Sequence, residues 1–308
     1  MSGMRPEVAG GAHPFQNSEP FASLDGRAAS AFDPLIRTAL AEDIGSGDVT
    51  SAATVDAQLV WSGRIVARAA GTVAGLPIAA RVFALVDARV AFTGLVRDGA
   101  RVDAGAGLAH VRGPARGLLT AERVALNFVG RLSGIATMTA RFVDAAYGSK
   151  TRIADTRKTT PGLRRLERYA VRAGGGVNHR FGLSDAVLVK DNHLAAVGSV
   201  GEAVRRARAA APGRVVEIEC DTLEQVREAL AAGADAVLLD NMDVASVRSA
   251  VALVHGSAVV EASGGMTLER IAEVAKTGVD VISVGALTHS APALELALDF
   301  DQNGGSTR

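Results

Sequence analysis

Three short stretches in the second half of the chain carry the residue types needed to grip an anion. Arg157 and Lys158 follow the run RIADT. Asn178-His179-Arg180 follows three consecutive glycines, Gly174-Gly175-Gly176, and Lys190 ends the apolar run AVLVK. Between residues 152 and 190 nine Arg or Lys stand against three acids, whereas between 217 and 243 eight acids stand against Arg227 alone. Unit charges ~4 Å apart repel by about 4 kcal/mol at an effective dielectric of 20, so a cluster of such cations suits a multiply charged anion. Arg164, Arg165, Glu167, Arg168 and Arg172 share one helical segment and read as solvated or locally paired. Arg157, Lys158, Arg180 and Lys190 sit instead on strand ends or beside them.

Glu219 and Asp240 each end an apolar run, one repeat apart. Two carboxylates so placed can hold Mg²⁺, directly or through water, when phosphates supply the other ligands. They can equally pair with the basic half, and the two roles are compatible. Ser263-Gly264-Gly265 and Gly285-Ala286 place small residues before helices, where backbone N–H groups can approach a phosphate. Tight turns alone would ask for the same residues. His179 fits a ligand contact and a structural histidine equally well. No CxxC or HExxH spacing is present, which argues against a transition-metal cluster.

The elements that must position these residues form a regular series. Strand-like runs begin at Arg152, Ala186, Val215, Ala236, Val259 and Val279, separated by helical segments over 163–173, 200–211, 223–232, 244–254 and 268–276. Six successive βα units predict a parallel sheet covered by helices. No GxGxxG follows the first strand, and polar residues recur at the strand ends, as they do around the mouth of an α/β barrel. Six visible strands make that barrel incomplete. Upstream, residues 33–42 read as a helix with Pro34 in its first turn, 77–86 as another, and 59–75, 90–96 and 108–111 as strands of a mixed α/β unit with antiparallel pairing. Residues 115–147 are helical in pattern, with breaks expected at Gly130 and Gly134.

Composition narrows the functional class. The 308 residues carry 33 basic and 33 acidic side chains, and 48% are apolar. A balanced charge argues against a chain built to coat nucleic acid or an anionic membrane. No uncharged run has the length of a membrane span, and the first 30 residues lack a secretory h-region and read as a disordered tail. The single cysteine, Cys220, allows no internal disulfide, fits a reducing cytoplasm, and reads as a small buried hydrophobe.

Thr156-Arg157-Lys158-Thr159-Thr160-Pro161-Gly162-Leu163, the run from Gly174 to Arg180, and Lys190-Asp191-Asn192-His193 together resemble the quinolinate phosphoribosyltransferase family. Supporting matches are Glu42 to Asp48, Glu122-Arg123, Arg131 to Thr137, Glu217-Ile218-Glu219, Leu239-Asp240-Asn241-Met242, Ala262 to Gly265 and Val284 to Leu287. The resemblance spans about residues 31–300. It implies an α/β fold: an N-terminal open α/β sandwich over 31–134, joined by the C-terminal segment 290–308, and an incomplete six- to seven-stranded α/β barrel over 135–289. It also implies transfer from phosphoribosyl pyrophosphate to quinolinate with decarboxylation, giving nicotinate mononucleotide, pyrophosphate and CO₂ for NAD synthesis.

By the family's pattern Arg123, Arg157, His179, Arg180 and Lys190 meet the quinolinate carboxylates, and Lys158 lies toward the diphosphate. Glu219 and Asp240 serve the Mg²⁺–phosphoribosyl side, and Ser263, Gly264 and Gly285 cradle the 5′-phosphate. Arg123 is expected from a neighbouring subunit, hence a homodimer or an oligomer of dimers. Rival readings are a nicotinate phosphoribosyltransferase or the molybdate-transport paralogue on the same fold, a barrel aldolase with Lys190 as Schiff base, and a non-catalytic nucleotide-binding barrel. A monocarboxylate needs fewer cations, so the full set favours quinolinate.

Overall fold

The structure is a computed structural model that describes residue 24 and residues 26–301. The disordered tail expected over 1–30 therefore lies outside the described residues up to 23 and at 25; Gly26–Ser30 form a short helix. Strands β1 (Val60–Ala67), β2 (Gly71–Thr72), β3 (Ala91–Gly94), β4 (Arg101–Val102) and β5 (Gly107–Pro114) precede the helix Ala115–Ala145. Strands β6 (Arg152–Ala154), β7 (Val187–Val189), β8 (Val216–Cys220), β9 (Ala236–Asp240), β10 (Val259–Ser263) and β11 (Val281–Ser283) alternate with helices, and β12 (Leu296–Phe300) comes last.

Two compact units result. Of the described residues, one contains Arg141–Lys158 and Gly176–Ala286; the other contains those up to Ala140, Thr159–Gly175 and Leu287–Asp301. In the second unit an antiparallel sheet has the order β12-β1-β5-β3, with Ile65 paired to Leu298 on one side and Ala109 on the other. Ile65, Leu108, Val111, Ile78, Phe83, Ile36 and Leu118 are buried in its core. Pro77 occupies the first turn of the helix Leu76–Val86, where its missing N–H costs no hydrogen bond.

The helix Ala115–Ala145 runs unbroken through Gly130 and Gly134, contrary to the breaks expected there. The glycines serve close approach instead. A Cβ on Gly134 would stand 2.0 Å from the Pro292 carbonyl oxygen, and one on Gly130 would stand 3.0 Å from that of Leu294. Leu294 N–H donates to Gly130 O at 2.9 Å, so the bare helix face receives the segment that leads into β12.

The barrel unit is a six-stranded parallel sheet in the order β6-β11-β10-β9-β8-β7. The strands follow chain order from β7 to β11, and then the first strand of the series pairs with the last. A doubly wound sheet does not do this; a barrel wall does. On the other side of β6, Ala154 forms a parallel bridge to Val177, a seventh strand reduced to one residue. The apolar runs are buried almost throughout, as expected of strands under helices. Strands β8 and β10 are the exceptions in chemistry: all five residues of β8 are buried, Glu217 and Glu219 among them, and Glu261 is buried in β10.

Candidate active site

Register decides which side chains share the barrel interior. Glu217 lies level with Ala236, and Glu219 with Leu238, which in turn lies level with Glu261; Asp240 lies level with Ser263. Residues two apart on a strand face the same way. Glu217, Glu219, Glu261, Asp240 and Ser263 therefore project to one face, rising toward the C-terminal strand ends where barrels place their chemistry.

Lys190 follows β7 directly and its Nζ forms an ion pair with Glu219 Oε2. Its N–H donates to His193 Nδ1 at 3.0 Å as the helix Asp191–Val197 begins, giving His193 a local capping role. Asp240 is half-buried and its Oδ2 accepts from Asn241 Nδ2 at 2.7 Å. Asn241 takes a left-handed backbone conformation, and its N–H donates to Ser263 O at 3.0 Å. Gly264, at φ +88°, passes so close to the Asn241 amide that a Cβ would stand 2.1 Å from Oδ1. The loops after β9 and β10 are thus locked together by that glycine. Gly285 follows Ser283-Val284 at the end of β11.

Asp155, fully buried just beyond β6, accepts from Asn178 Nδ2 at 2.5 Å and from the His179 N–H at 2.8 Å. It pins the segment that carries His179 and Arg180. The His179 ring is buried: Nε2 stands 3.3 Å from Glu217 Oε2 and 3.2 Å from Glu261 Oε2, while Nδ1 accepts from the Arg180 N–H at 2.7 Å. Burial disfavours a charged ring, and the Glu261 and Glu217 carboxylates outweigh it in the other direction. The lone pair that receives the Arg180 N–H opposes a second ring proton, and the ring is read as carrying its one proton on Nε2. Burial, then the charge of Glu261, pushes the Glu217 carboxyl up.

Arg180 is buried, and its Nη1 donates to Ala186 O at 3.1 Å. Burial and then the nearby Arg157 charge weaken its hold on a proton, which places two guanidinium groups within electrostatic reach of each other. Arg157 and Lys158 are exposed, and the Lys158 N–H donates to Thr156 Oγ1 at 3.1 Å. Burial, then Asp221 and Glu219, pushes the Cys220 thiol up to about 12, far from a nucleophile's range.

Of the expected site residues, Arg157, Lys158, His179, Arg180, Lys190, Glu219, Asp240, Ser263, Gly264 and Gly285 all belong to the barrel unit; Arg123 is exposed on the helix Ala115–Ala145 in the other unit. Sequence reasoning missed Glu261 altogether and treated Glu217 only as part of a motif. The available signal was a charged residue inside an apolar parallel strand, where both faces are covered. His179, Glu217 and Glu261 also form a group whose ligand atoms lie within 4.8 Å of one another. Nε2 is the point at which the three meet, and Glu261 Oε2 approaches it at 3.2 Å without forming a hydrogen bond.

Comparison with known proteins gives one consistent result. Residues 48–133 match the family model for the quinolinate phosphoribosyl transferase N-terminal domain, and residues 135–299 match that for its C-terminal domain. The chain is 50% identical over 273 residues to the nicotinate-nucleotide pyrophosphorylase [carboxylating] of Mycobacterium leprae, covering 86% of this chain and 95% of that protein. It is 48% identical over 259 residues to the probable enzyme of that name from Bacillus subtilis, covering 84% and 89%. The crystal structure of NadC from Streptococcus pyogenes superposes with a TM-score of 0.85 at 44% identity, covering 88% of this chain and 96% of that one.

Proposed function

This chain belongs to the quinolinate phosphoribosyltransferase family, and we propose that the cationic end of its barrel receives quinolinate beside phosphoribosyl pyrophosphate. The chain is a carboxylating nicotinate-nucleotide pyrophosphorylase. It transfers the phosphoribosyl group to quinolinate, releases pyrophosphate and CO₂, and yields nicotinate mononucleotide for NAD synthesis. The observation that carries the assignment of the site is the electrostatic proximity of Arg157 and Arg180, together with the Lys190–Glu219 ion pair, in one barrel with four inward carboxylates.

Planar guanidinium groups bind paired carboxylates bidentately, and the Arg157–Arg180 pair suits a dicarboxylate. Lys190 contributes a third cation, held in place by Glu219. As the bond from the anomeric carbon to diphosphate lengthens, positive character grows on the sugar, and the carboxylates of Glu219 and Asp240 are placed to stabilise it. Their all-oxygen donor set, on neighbouring strands, also fits Mg²⁺, which would neutralise the departing diphosphate. Lys158 lies toward that diphosphate, and the Ser263–Gly264 and Gly285 backbones toward the 5′-phosphate. Glycosylation makes the ring nitrogen cationic, so loss of the adjacent carboxylate comes second, with the electron pair left beside that charge and then protonated. No covalent nucleophile is required, and Cys220 stays a spectator.

The working unit in this reading is a homodimer to which the partner subunit contributes Arg123, acting in the cytoplasm without nucleic acid or membrane. Among the described residues no helix is long and apolar enough to cross a membrane. The test is product analysis with phosphoribosyl pyrophosphate and Mg²⁺, offering quinolinate and nicotinate separately, with and without a chelator. Nicotinate mononucleotide and matching CO₂ from quinolinate alone, abolished by the chelator, is the expected result. Product from nicotinate alone would overturn the dicarboxylate assignment.

A further inference from the structure

The barrel interior holds two carboxylates that the reaction as described does not use. Glu217 and Glu261 are both fully buried, on strands separated only by β9, and Oε1 of Glu217 and both oxygens of Glu261 lack a hydrogen-bond partner. What they do meet is the Nε2 edge of His179, at 3.3 and 3.2 Å. The opposite edge of the same ring takes the Arg180 N–H at 2.7 Å, and Asp155 fixes the backbone and side chain just before it. The ring is therefore held from both sides, and one of its anchors is the main chain of the arginine assigned to the substrate carboxylates.

We propose that Glu217 and Glu261 are positioning residues that lock the His179 imidazole in its Nε2–H tautomer and, through Nδ1, fix the Asn178–Arg180 segment for substrate binding. The proposal rests on the assignment of quinolinate to this end of the barrel. Neither glutamate touches substrate in it. Their oxygens face Nε2, so that proton is committed to the barrel interior; Nδ1 is left as an acceptor, and it takes the Arg180 N–H. A ring with the opposite tautomer would set an N–H against the Arg180 N–H and leave both glutamates facing a lone pair. Two buried carboxylates beside one imidazole make a costly arrangement. Its use is to remove the freedom of a ring and a turn that must be in place before the substrate arrives.

The test combines a measurement on the unaltered protein with kinetics of conservative variants. In ¹⁵N-labelled protein, with the His179 signals assigned by Glu and His substitutions at these positions, the expected state is an unprotonated Nδ1 and a protonated Nε2. Glu217→Gln and Glu261→Gln should each raise KM for quinolinate about tenfold, leaving KM for phosphoribosyl pyrophosphate and the melting temperature nearly unchanged. Glu217→Ala should be worse than Glu217→Gln, because the amide keeps an acceptor of the same shape. A wild-type ring protonated on Nδ1, or on both nitrogens, overturns the proposal whether or not any variant folds. So does a parallel rise of both KM values with a fall in melting temperature, which marks a merely structural role. Turnover of quinolinate by the wild type tests the substrate assignment separately. A correct tautomer in an enzyme that ignores quinolinate would sink that assignment and not the ring geometry.

Discussion

Glu167 in the sandwich unit and the pair Glu217–Glu261 in the barrel are equally hidden from water, and they are hidden in different company. Glu167 accepts from Arg131 Nε at 3.1 Å, Arg131 Nη2 at 2.7 Å, Thr160 Oγ1 at 2.7 Å and the Thr160 N–H at 3.0 Å. The same guanidinium donates to Ala291 O at 3.1 Å and to Thr288 O. One charge is matched by one charge, and both carboxylate oxygens are engaged. In the barrel two carboxylates crowd one imidazole, and Oε1 of Glu217 and both oxygens of Glu261 are left without a hydrogen-bond partner. A satisfied buried carboxylate ties chain segments together; an undersatisfied pair persists where a site needs a particular ring in a particular state.

That contrast is broken most directly by removing Glu167. Glu167→Ala leaves Arg131 and Thr160 without their shared acceptor, and breaking a buried pair of this kind costs on the order of 3–5 kcal/mol. The expected fall in melting temperature is about 10 °C. A variant melting within two or three degrees of the parent would show that full satisfaction does not make the network architectural. On the barrel side, Lys190→Ala should cost about 3 kcal/mol of transition-state stabilisation, or roughly 100-fold in kcat/KM for quinolinate, with stability altered by less than about 1 kcal/mol. Steady-state rates and melting curves of the two variants, taken together, should show opposite signatures. If Lys190→Ala unfolds the barrel instead, the Lys190–Glu219 pair belongs with the architecture.

Much of this was legible before any coordinates. The βα series could be read because apolar runs at near-constant spacing leave few alternatives, and Lys190, Glu219 and Asp240 stood out as polar residues at the ends of such runs. Glu261 did not, because its partners come from register: only the pairing of β8, β9 and β10 brings it level with Glu219 and toward His179. The helix Asp191–Val197 was missed for a related reason, since none of its seven residues is buried and it has no apolar stripe to detect. Strand β12 lies far along the chain from its partner β1, and nothing local announces that pairing. His179 could be read two ways from sequence, and the structure places its ring buried with both nitrogens in contact.

A third variant sharpens the sandwich side of the comparison, where close approach rather than charge does the tying. Replacing a mid-helix glycine by alanine ordinarily gains up to about 1 kcal/mol. Gly134→Ala should instead lose about 2 kcal/mol, because the new Cβ meets the Pro292 carbonyl oxygen at 2.0 Å and the segment leading to β12 must move. Denaturant unfolding decides the sign, and a gain would mean that this segment yields freely.

Asp48 separates satisfaction from burial. Its Oδ1 accepts from the Ser51 N–H at 2.9 Å and its Oδ2 from the hydroxyls of Ser51 at 2.5 Å and Thr120 at 3.0 Å, capping the helix Val49–Thr54. It is as fully bonded as Glu167 but only partly covered. If bonding alone set the energy, its loss would rival that of Glu167. Water can replace the partners of an accessible group, so Asp48→Ala should cost only the ordinary N-cap increment of about 1 kcal/mol. The Ser51 hydroxyl and then its N–H hold the Asp48 carboxyl below its usual range. A depressed carboxyl contributes stability that is present above the unfolded value and lost as pH falls through the folded one. The gap between wild type and Asp48→Ala should therefore narrow in acid, below about pH 4. Asp48→Asn, which still caps but cannot ionise, should keep most of the stability at neutral pH. A gap for Asp48→Ala as large as that for Glu167→Ala would mean that the count of bonds matters and their burial does not.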